Sequence, residues 1–420
     1  MWIKKIWNKL GSGLITGVAD DEPSAIATYA IAGSKFGLAM LWVSLFSLPF
    51  MIAIQEMSGR IGRVSGRGLA GNMKRFYPKP LVFLIALLVV SVNTVNIGAD
   101  MSAMAHSLSA IFSFPEKASA IVMTLIILGL VVLLPYQKIF TIFKWTALSL
   151  FAYVFTTFTV HQDWPTVLRH LVVPQIILSK EFFFIFIAFF GTTISPYLFF
   201  WQANQEVEER IIEQCKPGQI CRLKPIISEK ELKSLRLDTR IGMSFSNIIT
   251  FFIIVLTSST LFRAGINDIE SLADMASALK PLAGDYAQIL FTFGIVSSGF
   301  LAIPVLAGSA AYVVAEVFGW SEGLTKTFTK AKEFYGVIIA STLVGLLIPL
   351  LGFHPVKALL YTSIFYGLIS PIVIFMIIHM ANNKKIMGKN VNSRPLNVMG
   401  HLTFCIMLFL ALTVFFVLPR

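Results

Sequence analysis

The sequence predicts an all-α membrane protein of about eleven transmembrane helices, and three observations lead there. Hydrophobic residues make up 56% of the 420-residue chain and charged residues only 13%, roughly half the charge fraction of an ordinary soluble domain. The apolar stretches run to about 20 residues, the length of helix that crosses hydrocarbon. Lys and Arg collect on alternate connections, as they do in the cytoplasmic loops of polytopic proteins. Long alternating strands are absent, which argues against an outer-membrane barrel.

Spans are expected at 11–34, 38–58, 80–112, 118–136, 143–160, 181–204, 241–262, 285–315, 334–352, 357–380 and 399–418. The first begins after Lys4, Lys5 and Lys9. It resembles a signal peptide only superficially, because Asp20-Asp21-Glu22 interrupts its apolar run and no small-residue cleavage site follows. With the N-terminus in the cytoplasm, the inner connections hold Arg60, Arg63, Arg67, Lys74, Arg75, Lys79, Lys138 and Lys144. They also hold the basic residues of 205–240, then Lys326, Lys330, Lys332, Lys384, Lys385, Lys389 and Arg394. The outer connections keep only Lys35, Lys117, Arg169, Lys180, Arg263, Lys280, Lys357 and Arg420. This bias predicts a multi-pass protein of the inner (cytoplasmic) membrane with its N-terminus inside. The net charge of +12 is then loop charge, and the partner it implies is the lipid bilayer rather than a nucleic acid. Three cysteines, Cys215, Cys221 and Cys405, make no disulfide framework. The spacing of Cys215 and Cys221 fits no common zinc pattern.

The long polar segment 205–240, with room for a short helix, divides the spans into two sets of five. Residues 1–160 form one set; 161–380, with the 205–240 loop, form the other; 381–420 add a loop and an eleventh helix. Each set opens on an interrupted helix. Span 1 carries Asp20-Asp21-Glu22-Pro23-Ser24, and span 6 carries Gly191-Thr192-Thr193-Ile194-Ser195-Pro196. Proline removes a backbone donor and disfavours helix in the residue before it. An odd number of spans per set reverses orientation, so the halves are inverted relative to each other. That is the LeuT-type inverted repeat, with broken helices 1 and 6.

Three adjacent carboxylates inside a membrane helix cost about 2.5–3.5 kcal/mol each on insertion scales unless they pair, protonate or line a polar path. No Lys or Arg in the span pairs with Asp20, Asp21 and Glu22, so a cation is the expected partner. Unwound carbonyls beside Pro23 are hard oxygen ligands for it. Across the second break Thr192 and Ser195 offer hydroxyl oxygens, with Gly191 and Pro196 as the breakers. The bland alternative for each hydroxyl is a bond back to its own helix. On span 3, Asn93, Asn96, Asp100 and His106 are the polar residues, and Asp100 is expected to face the bundle interior. Gln55, Glu56 and Glu316 lie near span ends and read as interfacial and solvated. No nucleophile, metalloprotease or phosphate-binding motif is present, so an enzyme is not expected and no resident cofactor is called for.

These residues resemble the Nramp family of divalent metal transporters over most of the chain. The first span, from Gly11-Ser12-Gly13-Leu14 through Pro23 to Ala32-Gly33-Ser34-Lys35-Phe36-Gly37, is similar to the family's first helix with its Asp-Pro-Gly-Asn break. Gln55 to Gly71, Lys144-Trp145 to Val154, and Arg236-Leu237-Asp238-Thr239 resemble the family's helices 2, 5 and 7. The resemblance sets the family's metal-binding Asp on Glu22, its Asn on Ala25, its Ala on Thr192, its Met on Ser195 and its His on Tyr197. It sets the first acid of a helix 3 pair on Asp100 and the second on Ala103. The resemblance thus implies metal ligation by Glu22, with Asp21 and Asp20 beside it and Thr192 and Ser195 opposite. Loss of a soft thioether removes selection for transition metals, and the pattern is similar to the Nramp-related magnesium transporter branch.

The expected function is secondary transport of a divalent cation, Mg²⁺ or Mn²⁺, by alternating access between the two breaks. Weak proton coupling is expected, since Tyr197 is a phenol and a poor proton carrier at neutral pH. Asp100 is the remaining proton-relay or outer-sphere candidate. The alternatives are a proton-coupled Mn²⁺/Fe²⁺ symporter, an amino-acid carrier on the same fold, and a non-transporting scaffold. Three acids at the first break would repel the carboxylate an amino-acid carrier binds, and a scaffold needs no such acids.

Overall fold

The computed structural model describes residues 12–112, 114–134, 147–214 and 227–417. Lys4, Lys5, Lys9, Lys138, the Lys144-Trp145 pair, Cys215 and Cys221 lie outside them. Among the described residues every regular element is a helix, as lipid demands: a helix satisfies its own backbone where no water can. The chain runs through α1 (Ser12–Asp20), α2 (Pro23–Phe36), α3 (Leu41–Ser65), α4 (Leu69–Phe76), α5 (Lys79–Phe112), α6 (Glu116–Leu133) and α7 (Phe151–Thr159). It continues through α8 (Lys180–Thr193), α9 (Pro196–Gln214), α10 (Glu229–Thr257), α11 (Ala287–Phe318), α12 (Lys332–Leu351), α13 (Pro355–Asn382) and α14 (Arg394–Val417).

Among the described residues, nine helical runs are long and apolar enough to cross a membrane. The first, Pro23–Ser65, contains two helices, α2 and α3, and the shorter apolar helix Leu148–Thr159 lies under the predicted fifth span. Each expected span therefore has a helix beneath it. The long α5 is the spine: α11, α12 and α13 all pack along it. On the other side of the break, α10 packs on α1 and α3, α9 on α3, and α8 on α13.

Glycine lets two of these contacts become backbone contacts. A Cβ on Gly17 would collide with the Gly242 carbonyl, and one on Gly242 with the Gly13 carbonyl. Small residues four apart on α1 thus seat it directly on α10, and the Gly13 amide donates to Asp238 at 2.6 Å. Gly191, expected to help break the sixth span, instead lies inside α8, where a Cβ would collide with the Ser363 carbonyl of α13. Its role is close packing; the proline breaks the helix.

Within the 205–240 segment, residues 205–214 and 229–240 are helical. α9 runs on to Gln214 and α10 starts at Glu229 behind a Ser228/Glu231 capping box. The extension persists because its acidic face meets α3. Arg63 on α3 pairs with Glu206 at 3.5 Å and Glu213 at 2.5 Å, and Arg210 donates to the Arg63 carbonyl. Gln55, Glu56 and Glu316 are likewise buried rather than solvated. Gln55 donates to the Leu198 carbonyl, Glu56 pairs with Arg236 at 2.9 Å, and Glu316 accepts from the Gly68 and Gly71 amides at the start of α4. Helix termini supply donors that let a carboxylate leave water.

Glu322, in the connection after α11, has its carboxyl pushed from 4.5 up to about 9 by burial, then by Glu316 and Glu208. The folded state therefore prefers the protonated acid. That preference contributes fully below pH 4.5 and is lost as pH rises through about 9. Glu322→Gln is expected to raise the thermal midpoint of the detergent-solubilised protein near pH 9 and to leave it unchanged near pH 4.5; an equal effect at both values would reject the reading. Gly17→Val is expected to cost at least ~1–3 kcal/mol of overpacking and to lower that midpoint by several degrees. Gly129→Ala, inside α6 where a Cβ meets nothing within 4 Å, serves as the control and is expected not to lower the midpoint.

Candidate cation site

Two proline-punctuated breaks lie at the centre of the molecule. α1 stops at Asp20 and α2 starts at Pro23, leaving Asp21 and Glu22 between them. Glu22 is extended (φ −69°, ψ 167°) with Pro23 in the first turn of α2, the conformation that proline imposes on its predecessor. α8 stops at Thr193 and α9 starts at Pro196, leaving Ile194 and Ser195. The Ser370 hydroxyl of α13 donates to the freed Ile194 carbonyl at 2.8 Å, and the Tyr197 hydroxyl donates to the Ala19 carbonyl at 2.9 Å. Each break is thus held by a side chain from a neighbouring helix.

The carboxylates are sealed in. Asp20, Asp21 and Asp100 are 0% exposed and Glu22 is 1% exposed. None of them enters an ion pair among the described residues. The Ser246 hydroxyl of α10 lies 2.7 Å from Asp20 Oδ2 and 3.1 Å from Asp21 Oδ1. One hydroxyl carries one hydrogen, so it serves one of these two carboxylates at a time. Glu22 turns the other way and accepts from Ser24 at 2.7 Å. Among the described residues, Asp20 Oδ1, Asp21 Oδ2, Glu22 Oε2 and both oxygens of Asp100 have no hydrogen-bond partner. Thr192 Oγ1 is buried and unpartnered as well.

The structure divides what the sequence grouped. The acid triad does not converge: Asp20 and Asp21 face α10, and Glu22 faces α5. Among the described residues no three His, Cys, Asp or Glu side chains are grouped to hold one metal ion, so a ligand set here must include neutral oxygens. Ser195 spends its hydrogen inward, on the Gly191 and Thr192 carbonyls at 2.9 and 2.5 Å. That is the back-bonding alternative for a serine at a helix end; Ser195 keeps only lone pairs for a cation. His106 sits 3.2 Å from Glu116, away from the break.

A family model, Natural resistance-associated macrophage protein-like, matches residues 13–417. This chain belongs to the Nramp family. Nramp relatives at comparable length include the divalent metal cation transporter MntH of Caldanaerobacter subterraneus, 24% identical over 95% of this chain and 90% of the relative. That of Mesorhizobium japonicum is 22% identical over 92% and 84%. Among solved structures, a manganese transporter of Eremococcus coleocola superposes with a TM-score of 0.80 at 16% identity, over 98% of this chain and 87% of that one. MhsT in complex with L-phenylalanine superposes with a TM-score of 0.62 at 14% identity, over 97% and 98%. At these identities the likeness is one of fold, the LeuT-like helical membrane fold that the paired breaks predicted. Nramp proteins are transporters, not enzymes.

Sequence reasoning missed Ser246 and Tyr366 at the breaks, and it named Ser24 only as part of the interrupted stretch. A serine or tyrosine on an apolar helix has no signal that separates it from one bonded to its own backbone or packed in the core. Asn96 was visible as a polar residue within a span, but nothing in the sequence aimed it at Glu22. Ser246→Ala is expected to lower the thermal midpoint of the metal-free protein by removing the donor shared by Asp20 and Asp21, a loss of about 1–3 kcal/mol. An unchanged midpoint in a melting series at pH 7 would show that the pair does not depend on that donor.

Proposed function

We propose that this Nramp protein carries a divalent metal cation across the membrane by alternating access, with the ion seated at the two helix breaks. One observation carries the reading: among the described residues, the buried carboxylates at the breaks have unpaired oxygens and no cationic side chain to neutralise them. Leaving such groups ionised and unpaired costs several kcal/mol each, and a bound cation removes that cost. Relatives named divalent metal cation transporters and a structural neighbour described as a manganese transporter agree with it.

In this reading Glu22 is the principal metal ligand. Asp21 and Asp20 set the negative field, and Thr192 and Ser195 offer oxygens from the second break. Pro23 and Pro196 keep the backbone open, and Gly191 holds α8 against α13. The transported ion is Mg²⁺ or Mn²⁺. Ala25 and Ser195 present no amide and no sulfur at the places where the family resemblance puts an Asn and a Met, which leaves a hard, roomy site. Mg²⁺ keeps several waters and suits such a site. The magnesium-transporter branch of the family is therefore the assignment we favour. Residues 1–160 and 161–380 act as the two five-helix repeats, rocking about the break, with 381–420 outside the repeat. The N-terminus faces the cytoplasm and the membrane is the cytoplasmic one; the basic residues gathered at one end, among them Arg60, Arg63, Arg210 and Arg236, support this.

Proton coupling is weak in this reading, because Tyr197 is committed to the Ala19 carbonyl and stands where the family resemblance puts a His. Asp100 is the group through which a proton-coupled symporter would operate. An amino-acid carrier is disfavoured: its carboxylate would meet Glu22 at the break.

Glu22→Ala is expected to abolish Mn²⁺ uptake into proteoliposomes while leaving a monodisperse protein in detergent. Wild-type uptake by that variant would reject the assignment. Millimolar Mg²⁺ is expected to compete with Mn²⁺ in the same assay. Tight Cd²⁺ uptake insensitive to Mg²⁺ would instead require a soft sulfur ligand.

A further inference from the structure

The third wall of the break is α5, and its polar residues are not used equally. Asn93, Asn96 and Asp100 recur at helical spacing and share a face. Asn93 is satisfied: its amide donates to the Leu306 carbonyl, and its oxygen accepts from Tyr366, both at 3.2 Å. Asn96 is 0% exposed, and neither Nδ2 nor Oδ1 has a well-formed hydrogen bond among the described residues. Its side chain lies beside the Glu22 carboxyl and the Tyr366 hydroxyl. Asp100, one turn on, is equally buried and unpaired and faces the Ser24 backbone just past the break.

An amide buried with both ends unmet costs about 1–3 kcal/mol per group, and a spanning helix accepts Leu or Val there without that cost. Such a residue is accounted for by a ligand that meets it. We propose that Asn96 is a direct, selectivity-setting ligand of the transported cation, and that the ion sits on the α5 side of the break, between Glu22, Asn96 and Asp100. The inference rests on the metal-transport reading above and deepens it.

Tyr366 donates its hydrogen to Asn93 at 3.2 Å, so Asn96 does not compete with Asn93 for it. A neutral amide oxygen is a hard donor of the kind Mg²⁺ and Mn²⁺ accept alongside carboxylates and water. The resulting set has two carboxylates and one amide, which agrees with the absence of a three-acid cluster among the described residues. Its two carboxylates balance a divalent charge while leaving coordination positions for water. Asp20 and Asp21, turned toward Ser246 on α10, lie outside this set.

The test is calorimetric titration of the full-length protein in detergent with MnCl₂ and with MgCl₂, comparing wild type, Asn96→Leu, Asn96→Asp and Glu22→Ala. Metal-free thermal midpoints are measured alongside. Loss of one oxygen ligand should raise the Mn²⁺ dissociation constant about tenfold in Asn96→Leu, with a metal-free midpoint equal to or above wild type. Asn96→Asp keeps an oxygen at that place and should recover binding relative to Asn96→Leu. It should also change the ratio of Mn²⁺ to Mg²⁺ affinity, which a packing role would not do. If Asn96→Leu binds within about threefold of wild type while Glu22→Ala does not bind, the ligand proposal falls and the transport reading stands. If the metal-free midpoint of Asn96→Leu drops along with binding, the residue is structural and the proposal falls. If Asn96→Leu does not fold, Asn96→Asp decides: an unchanged Mn²⁺ to Mg²⁺ ratio overturns the proposal, and a changed one supports it. If wild type binds neither ion, both readings fall together.

Discussion

Four carboxylates buried at or beside a helix break, with no positive side chain among the described residues to meet them, are the constraint on which the rest of this molecule depends. Asp20, Asp21, Glu22 and Asp100 are all withdrawn from water. A soluble protein would resolve such a cluster by exposing it, and a structural membrane site would resolve it with Arg or Lys. Here neither solution is taken among the described residues. Only part of the cluster is relieved by what surrounds the break: the hydroxyl of Ser24 donates to Glu22, and that of Ser246 serves Asp20 and Asp21. The remaining carboxylate oxygens stay unpaired among the described residues, and under the proposed function a cation would meet them. A transporter needs that difference, because a site comfortable when empty has little reason to bind and release.

The surrounding architecture holds the break in place on every side. Glycine contact seats α1 on α10, so that Asp20 and Asp21 reach Ser246 one turn beyond Gly242. The Thr16 hydroxyl donates to Gln202 at 2.6 Å and ties the first broken helix to the second. Toward the basic end, Arg63 binds the acidic face of α9 and Glu316 caps α4. Toward the opposite end, Lys35 at the close of α2 bridges Glu181 and Asp268 at 3.3 and 3.0 Å. The two closures differ in kind. The pairing of Arg63 with Glu206 is buried, so separating its partners is expensive. The Lys35 bridge reaches largely exposed acids and contributes little.

Much of this was legible in the amino-acid order, and the reason is the bilayer. Hydrocarbon admits only long apolar helices, so the spans around α5, α11 or α13 announce themselves by composition alone. Charges inside such spans are too costly to be accidental, which marked Asp20, Asp21, Glu22 and Asp100. Prolines at matching places in two sets of five spans pointed to the breaks and to an inverted repeat. The family resemblance followed from the same residues.

What only the tertiary structure decided was direction and partnership. Three adjacent acids read as one cluster, but an unwound turn points successive side chains apart, so Asp20 and Asp21 face α10 while Glu22 faces α5. Gly191 read as a breaker until α13 was seen lying against it. The 205–240 segment read as a loop, and Gln55, Glu56 and Glu316 as solvated, until their partners on α10, α9 and α4 were brought alongside. Ser246, Asn96 and Tyr366 belong to helices distant in sequence from the first break. Composition and spacing report how a residue fits its own helix. Which face of which neighbour it meets is set by helix packing, and that information exists only once the chain has folded.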